Sequence, residues 1–187
     1  MSSAFDPARN GFLDEDSKFI ESFLLGDQTA FDQIYVKYYE KAFAIAKGVL
    51  LNEEEAHDAT QEIFTLVHRN LKGFDRRSKF STWLYRIAVN RSIQYSRASK
   101  RHTNHAPLTE AHEQIAPEQT SIPDPAIEHA MGILSPEDRA VLTLFYWDEL
   151  SLSEIGESLG VTENAAKTRL FRARDRFKAH YLREGGI

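Results

Sequence analysis

The sequence predicts an all-α protein of two small helical domains, an N-terminal helical bundle and a C-terminal helix-turn-helix four-helix domain, joined by a flexible linker. Three observations carry this. Apolar residues recur at spacings of three and four through most of the 187 residues, and no segment reads as a strand of consequence. Residues that start or stop helices stand at the ends of those periodic stretches: Asp27, Asn52, Ser135, Ser151 and Thr162 at starts, Gly26 and Gly160 at stops. Between the two periodic halves lies a segment with Pro107, Pro117, Pro123 and Pro125, little apolar content and no period, which reads as a partly extended tether. The domains are then residues 17–99 and 126–183, with the linker at 100–125 and a loose tail at 1–16.

Taken in order, residues 17–25 form a short amphipathic helix closed by Gly26. Asp27 caps a second helix, whose broad stripe of Ile34, Tyr38, Ala42, Ile45 and Val49 reads as core. Residues 52–71 give a third, with Glu53, Glu54 and Glu55 at the end where the helix dipole favours acids. It turns Ala56, Ala59, Ile63, Phe64 and Val67 inward and leaves Asp58, Gln61 and Glu62 on the remaining surface. After a loop at 72–79, Ser81 or Thr82 caps a fourth helix that begins at Trp83. Leu84, Ile87 and Ala88 face inward there, and Arg86, Asn90, Arg91, Gln94 and Arg97 outward. Rings among cations (Phe74, Phe80, Trp83, Tyr85) suit a protein that grips unpaired bases. Composition alone gives Trp83 and Phe80 an equal claim to be core.

In the C-terminal half, residues 126–133 form a short helix. Ser135 caps the next, with Pro136 at its first position and Asp138 close to a capping-box acid. Its apolar side (Val141, Leu142, Leu144, Phe145, Tyr146) should pack behind the last helical pair and complete a second core. That pair opens on a capping box, Ser151 with Glu154, and buries Leu152, Ile155 and Leu159. Gly160 makes the turn, and Thr162 caps a last helix with the stripe Ala166, Leu170, Ala173, Phe177. The opposite side carries Lys167, Thr168, Phe171 and Arg172, with Arg169, Arg174, Arg176 and Lys178 alongside or beyond. Helix, glycine turn and cationic helix make the pattern of a helix-turn-helix DNA reader. It is favoured over an arginine-rich surface hairpin because the turn, both caps and the charge agree.

A net charge of −5 looks wrong for a DNA binder, but the average conceals blocks of opposite sign. Residues 69–101 hold 10 Lys/Arg against 1 Asp/Glu, and residues 163–187 hold 7 against 3. Residues 1–68 hold 5 against 13, and residues 102–162 hold 1 against 11. At physiological salt a charge reaches ~8 Å, so the blocks matter more to DNA than the total. The acidic blocks keep the cationic ones off random DNA, face a basic partner, or are simply solvated. No apolar run is long enough to span a membrane and no signal layout opens the chain, so a cytoplasmic location is expected. There is no cysteine, hence neither disulfide nor thiolate metal site. Glycine-rich phosphate loops and nucleophile elbows are missing too, so no enzyme, catalytic residue or cofactor is expected. No metal is expected either: His102, His105 and His112 lie in the tether, and Glu54-x-x-His57 occurs once where a di-metal bundle needs two copies.

With these residues laid out, the chain resembles the sigma factors of bacterial RNA polymerase, in particular the extracytoplasmic-function (ECF) group. DATQEIF at residues 58–64 is similar to the family's polymerase-binding helix, and FSTWLYRIAVNRS at 80–92 to its −10 element segment. LSPEDRAVL, followed by LSLSEIGESLGVTENAAKTRLFRARDRF, is similar to its −35-binding domain. The resemblance implies that Asp58, Gln61 and Glu62 meet the clamp helices of the polymerase β′ subunit, and that the β flap is a further contact. It implies that Asn90 touches a −10 base and that the loop from Phe74 to Lys79 holds a flipped-out base. Trp83 would support that pocket, with Arg86 on the same −10 surface. Lys167, Thr168, Phe171 and Arg172 would meet the −35 element in the major groove, where Lys167 can donate to guanine and Phe171 can touch a thymine methyl. Arg169 and Arg176 are assigned to phosphates. The implied partners are core RNA polymerase, promoter DNA and an anti-sigma factor, with no membrane insertion. Two rivals are a dimeric activator, which would need an α/β domain in front, and a helical adaptor that binds only protein.

Overall fold

The computed structural model describes residues 15–103, 124–146 and 150–184, with side chains placed for all but 100–103 and 184. The tail at 1–14, most of the linker with His105 and His112, and the side chain of His102 lie outside the described residues. Among those described, all regular structure is helical: α1 (Glu15–Leu24), α2 (Thr29–Leu50), α3 (Glu53–Asn70), α4 (Phe80–Thr103), α5 (Pro125–Ile133), α6 (Pro136–Tyr146), α7 (Leu152–Leu159) and α8 (Glu163–Glu184), with a 3-10 turn at Leu71–Gly73.

Most boundaries follow from the caps. Gly26 ends α1 at φ +109°, and the Asp27 carboxylate accepts from the Thr29 backbone N–H at 3.0 Å to start α2. The Asn52 side chain accepts from Glu55 N–H at 2.9 Å at the head of α3. Asp124 caps α5 with Pro125 at its first position, and Ser135 Oγ accepts from Asp138 N–H at 3.1 Å. α1 is pinned to α2 through a buried carboxylate, Asp16, which accepts from Tyr38 Oη at 2.6 Å and Lys37 Nζ at 2.7 Å.

α4 departs from expectation at both ends. It begins at Phe80 rather than Trp83, with Trp83 N–H bonded to Lys79 O at 3.1 Å, so Ser81 and Thr82 lie inside the first turn and neither caps. The cause is burial: starting at Phe80 sets this ring one turn below Leu84 on one face, and both are buried. At the other end α4 runs on to Thr103, past residue 99, because no glycine or proline interrupts the chain before Pro107.

Two helical groups result, α1–α4 and α5–α8, but their cores are not separate. One continuous apolar core joins Ile34, Val49 and Leu84 to Leu144, Ile155 and Leu170. α2 packs against α6 as well as against its own neighbours, and α7 lies more extensively against α4 than against α6. At Gly48 of α2 the two groups come close: a β-carbon there would stand 2.2 Å from Thr143 Oγ1 on α6.

Candidate nucleic-acid and partner surfaces

The C-terminal surface is built from its turn. Glu154 completes a capping box with Ser151, bonding back to the Ser151 N–H at 3.1 Å. Gly160 takes the left-handed conformation at φ +67°, and Val161 N–H returns to Gly156 O at 2.8 Å, closing a Schellman turn. The turn backbone passes so close over α7 that a β-carbon on Gly156 would stand 2.9 Å from Val161 O. The sequence reading did not single out Gly156, because a glycine inside a helical run carries no signal of what crosses it.

Thr162 Oγ1 accepts from Ala165 N–H at 3.2 Å and starts α8. Ala166, Leu170 and Ala173 are buried, which aims the other side outward. Lys167, Thr168 and Arg172 are exposed, and Phe171 is 72% exposed although it is a large apolar ring. Arg169 is half-buried in a cleft of about 570 Å³ with Asn164, Thr168, Arg172 and Arg176. Arg176 is ion-paired there with the buried carboxylate of Asp138. Arg174 turns back instead, donating to Tyr146 Oη at 2.7 Å and lying over the Phe145 ring at 4.8 Å.

On the N-terminal group the rings form a cluster of mixed burial. Phe80 is buried, while Phe74 and Trp83 are half-buried, with centroids 5.3 Å apart for Phe74–Trp83 and 5.7 Å for Phe80–Trp83. The open alternative therefore divides: Phe80 is core, and Phe74 and Trp83 are each partly exposed. Arg76 is left-handed at φ +58° and bonds Glu21 at 2.9 Å, which shapes the loop between Gly73 and Phe80. Arg86 and Asn90 are exposed on α4.

Lys79 projects from this loop onto the C-terminal group, where its ammonium bonds Glu154 at 2.7 Å. That bond, aided by the Ser151 hydroxyl and N–H, holds the Glu154 carboxyl down at about 2, well below its ordinary range. Arg86 lies 3.7 Å from where a β-carbon of Gly160 would sit. A second cleft, of about 810 Å³, thus has Asp75, Arg77, Trp83 and Arg86 on one wall and Glu157 and Thr162 on the other. The expected −10 surface thus faces the turn that leads into α8, while Thr168, Arg169 and Arg172 of α8 line the separate cleft described above.

Asp58 and Gln61 are exposed on α3, and Glu62 is half-buried in an ion pair with Arg91 of α4. Burial and the nearby Asp58 and Glu55 raise the Tyr95 hydroxyl above its usual value, as does Glu62, while Arg91 opposes them. Beside Gln61 runs a groove of about 360 Å³ with Phe31, Tyr35, Phe64 and His68 in its walls. Phe64 is buried as its periodicity predicts, but that periodicity gave no sign of the groove beside it. His57 is engaged by Tyr39 Oη at 3.0 Å and stacks on Phe43 at 4.4 Å. Among the described residues no helix is long and apolar enough to cross a membrane, and no group of three His, Cys, Asp or Glu could hold a metal ion.

Residues 34–102 match the sequence family "Sigma-70 region 2" and residues 125–177 match "Sigma-70, region 4". The ECF RNA polymerase sigma factor SigW of Bacillus subtilis is 36% identical over 164 residues, which cover 80% of this chain and 88% of SigW. SigM of Mycobacterium tuberculosis, also an ECF sigma factor, is 30% identical over 86% of this chain and 82% of its own. The fold is shared with CnrH solved in complex with the cytosolic domain of CnrY, at TM-score 0.67, 23% identity and coverage of 93% of this chain and 100% of CnrH. It is shared also with the sigma factor RpoE solved with the anti-sigma factor NepR from Bartonella quintana, at TM-score 0.65, 20% identity and coverage of 80% and 95%.

Proposed function

The chain belongs to the ECF sigma factors of RNA polymerase, and on that premise we propose how its surfaces divide the work of starting transcription. It binds core polymerase and promoter DNA in the cytoplasm and directs promoter recognition and strand opening; the covalent chemistry is polymerase's. The N-terminal domain, residues 17–99 with the rest of α4, takes the −10 element, and the domain at 126–183 takes the −35 element. The segment between them tethers the two.

At the −35 element α8 enters the major groove, which is wide enough for one helix. Lys167 and Arg172 then reach base edges, Thr168 and Phe171 fill between them, and Arg169 and Arg176 neutralise phosphates once Arg176 leaves Asp138. At the −10 element the strands are apart, and an unpaired base stacks on the ring surface that Phe74 and Trp83 leave accessible. Such stacking is worth ~1–3 kcal/mol per base. Lys79 and Arg86 hold the backbone beside it, and Asn90 reads a further base. Asp58, Gln61 and Glu62 meet the β′ clamp helices, and the groove beside Gln61 supplies apolar area to that contact, while the C-terminal domain meets the β flap. Capture of a solved relative with the anti-sigma factor NepR supports control of this chain by a protein of that kind.

The observation that carries this reading is the outward face of α8: a large bare aromatic ring between two cations, on a helix whose opposite stripe of Ala166, Leu170 and Ala173 is buried. Run-off transcription with core polymerase and a fragment library tests it. Product that depends on the chain and maps to a shared two-element promoter is the expected result. Failure to co-elute with core polymerase and to stimulate initiation would sink the reading.

A further inference from the structure

We propose that Glu21 of α1 and Arg76 are positioning residues for base selection: their ion pair holds the loop at 74–79 in the shape that receives an unpaired −10 base. The inference rests on the reading above for what the loop binds, and adds what gives the loop its form.

The backbone is the first support. Arg76 stands at φ +58°, and among the described residues the only other non-glycine with positive φ is Leu51, which ends α2. A left-handed residue that carries a side chain is strained, whereas glycine takes the same conformation freely. Arginine persists at such a position where contacts of its own hold it there. Here Arg76 Nη1 donates to Glu21 Oε1 at 2.9 Å, across 55 residues of sequence.

The surroundings of the pair are the second. Asp75 accepts from the Arg77 N–H at 3.2 Å and pairs with Arg77 Nε at 3.0 Å, so the neighbours of Arg76 bind each other while Arg76 reaches out to α1. Phe74 is fixed from the other direction by Phe80 and Trp83, at centroid distances of 5.5 and 5.3 Å. The loop is thus clamped by a ring cluster and by an ion pair, and Phe74, the ring offered to the base, stands two residues from the second clamp.

α1 makes a firm anchor. Ile20 and Phe23, which flank Glu21, are buried, and Asp16 ties the helix to α2 through Tyr38 Oη and Lys37 Nζ. The Glu21 and Arg76 side chains themselves are 45% and 37% exposed, so their pair is only modestly stabilising. Such a pair, set against a strained backbone, governs which shape of the loop is populated without governing whether the domain folds.

Run-off transcription by full-length variants with core polymerase tests this, on a promoter library randomised at the −10 and −35 elements. Glu21→Ala keeps the helix propensity of α1. It should cut base preference at one −10 position by about two- to fivefold, the range that loss of an exposed pair allows, and leave −35 preferences unchanged. Charge alone predicts the opposite, since removing an acid near nucleic acid strengthens binding to every sequence. Arg76→Gly should retain more of the preference than Arg76→Ala, because only glycine adopts the left-handed backbone without strain. If Arg76 simply touched DNA, these two variants would fail alike. Adding Glu21→Ala to Arg76→Gly should change nothing further, because both residues act through one contact. Equal preferences in Arg76→Gly and Arg76→Ala overturn the inference, as does a Glu21→Ala protein that keeps the parent's −10 preference. A parent that initiates but prefers no base at any −10 position rejects instead the assignment of the loop, and the inference falls with it.

Discussion

Glu154 shows how much one side chain is asked to do. It closes the capping box of α7 and holds Lys79 of the other helical group, and its carboxyl sits at about 2 in consequence, against an ordinary 4.5. A carboxyl lowered on folding contributes stability that is complete above the unfolded value and is lost as pH falls through the folded one. The window is therefore from about 4.5 down to about 2. Lys79 is 72% exposed at its side chain, so the pair itself adds only ~0.2–1 kcal/mol after screening. Glutamine still completes the capping box. Glu154→Gln should thus lose no more than that in urea unfolding at pH 7, and the gap between variant and parent should close as pH approaches 2. A gap that widens in acid would contradict the assignment. On α8, Lys167→Ala and Arg172→Ala should each weaken promoter affinity by ~1–3 kcal/mol and relax sequence preference at one or two −35 positions in a binding selection. These side chains were legible in the sequence because a stripe of Ala166, Leu170 and Ala173 fixes what lies opposite. The partner of Lys79 was not, since no spacing rule relates residue 79 to residue 154.

At the scale of elements, caps were the most readable feature: Asn52, Ser135, Ser151 and Thr162 each bond the backbone N–H three residues on. Such signals are local, written in one residue type at one offset. α4 broke the rule because a tertiary demand, the burial of Phe80 over Leu84, outweighed the weak preference of Ser81 and Thr82 for a cap. Gly156 is the converse case, a glycine whose meaning lies in the strand of backbone folded over it. Alanine there would gain up to ~1 kcal/mol of helix propensity. It would also set a methyl 2.9 Å from Val161 O, and backbone cannot rotate away as a side chain can. Crowding of this kind costs ~1–3 kcal/mol. Gly156→Ala should therefore lower the urea midpoint and weaken −35 binding together, since the same turn aims α8. An unchanged midpoint would mean that the turn moves aside freely.

For the whole molecule, the question is which force keeps the two helical groups together. The alternating charge blocks were visible in the sequence, but where the two helical groups would meet was not, because Gly48 and Thr143 look unremarkable one at a time. Among the described residues two ion pairs bridge the groups, both with exposed cations, and contribute ~0.2–1 kcal/mol each. Raising salt from 0.1 M to 1 M shortens the screening length from ~10 Å to ~3 Å and would largely remove that contribution. The continuous core is indifferent to this, since apolar burial does not depend on screening. Binding to promoter DNA, on the proposed assignment, would instead rest on Lys167, Arg169, Arg172 and Arg176 releasing counterions, so its logarithm should fall linearly with the logarithm of salt. Over the same titration the scattering profile of the free chain should hold steady while promoter affinity drops by orders of magnitude. Expansion of the free chain in step with the loss of DNA binding would mean that ion pairs, not apolar packing, close the molecule.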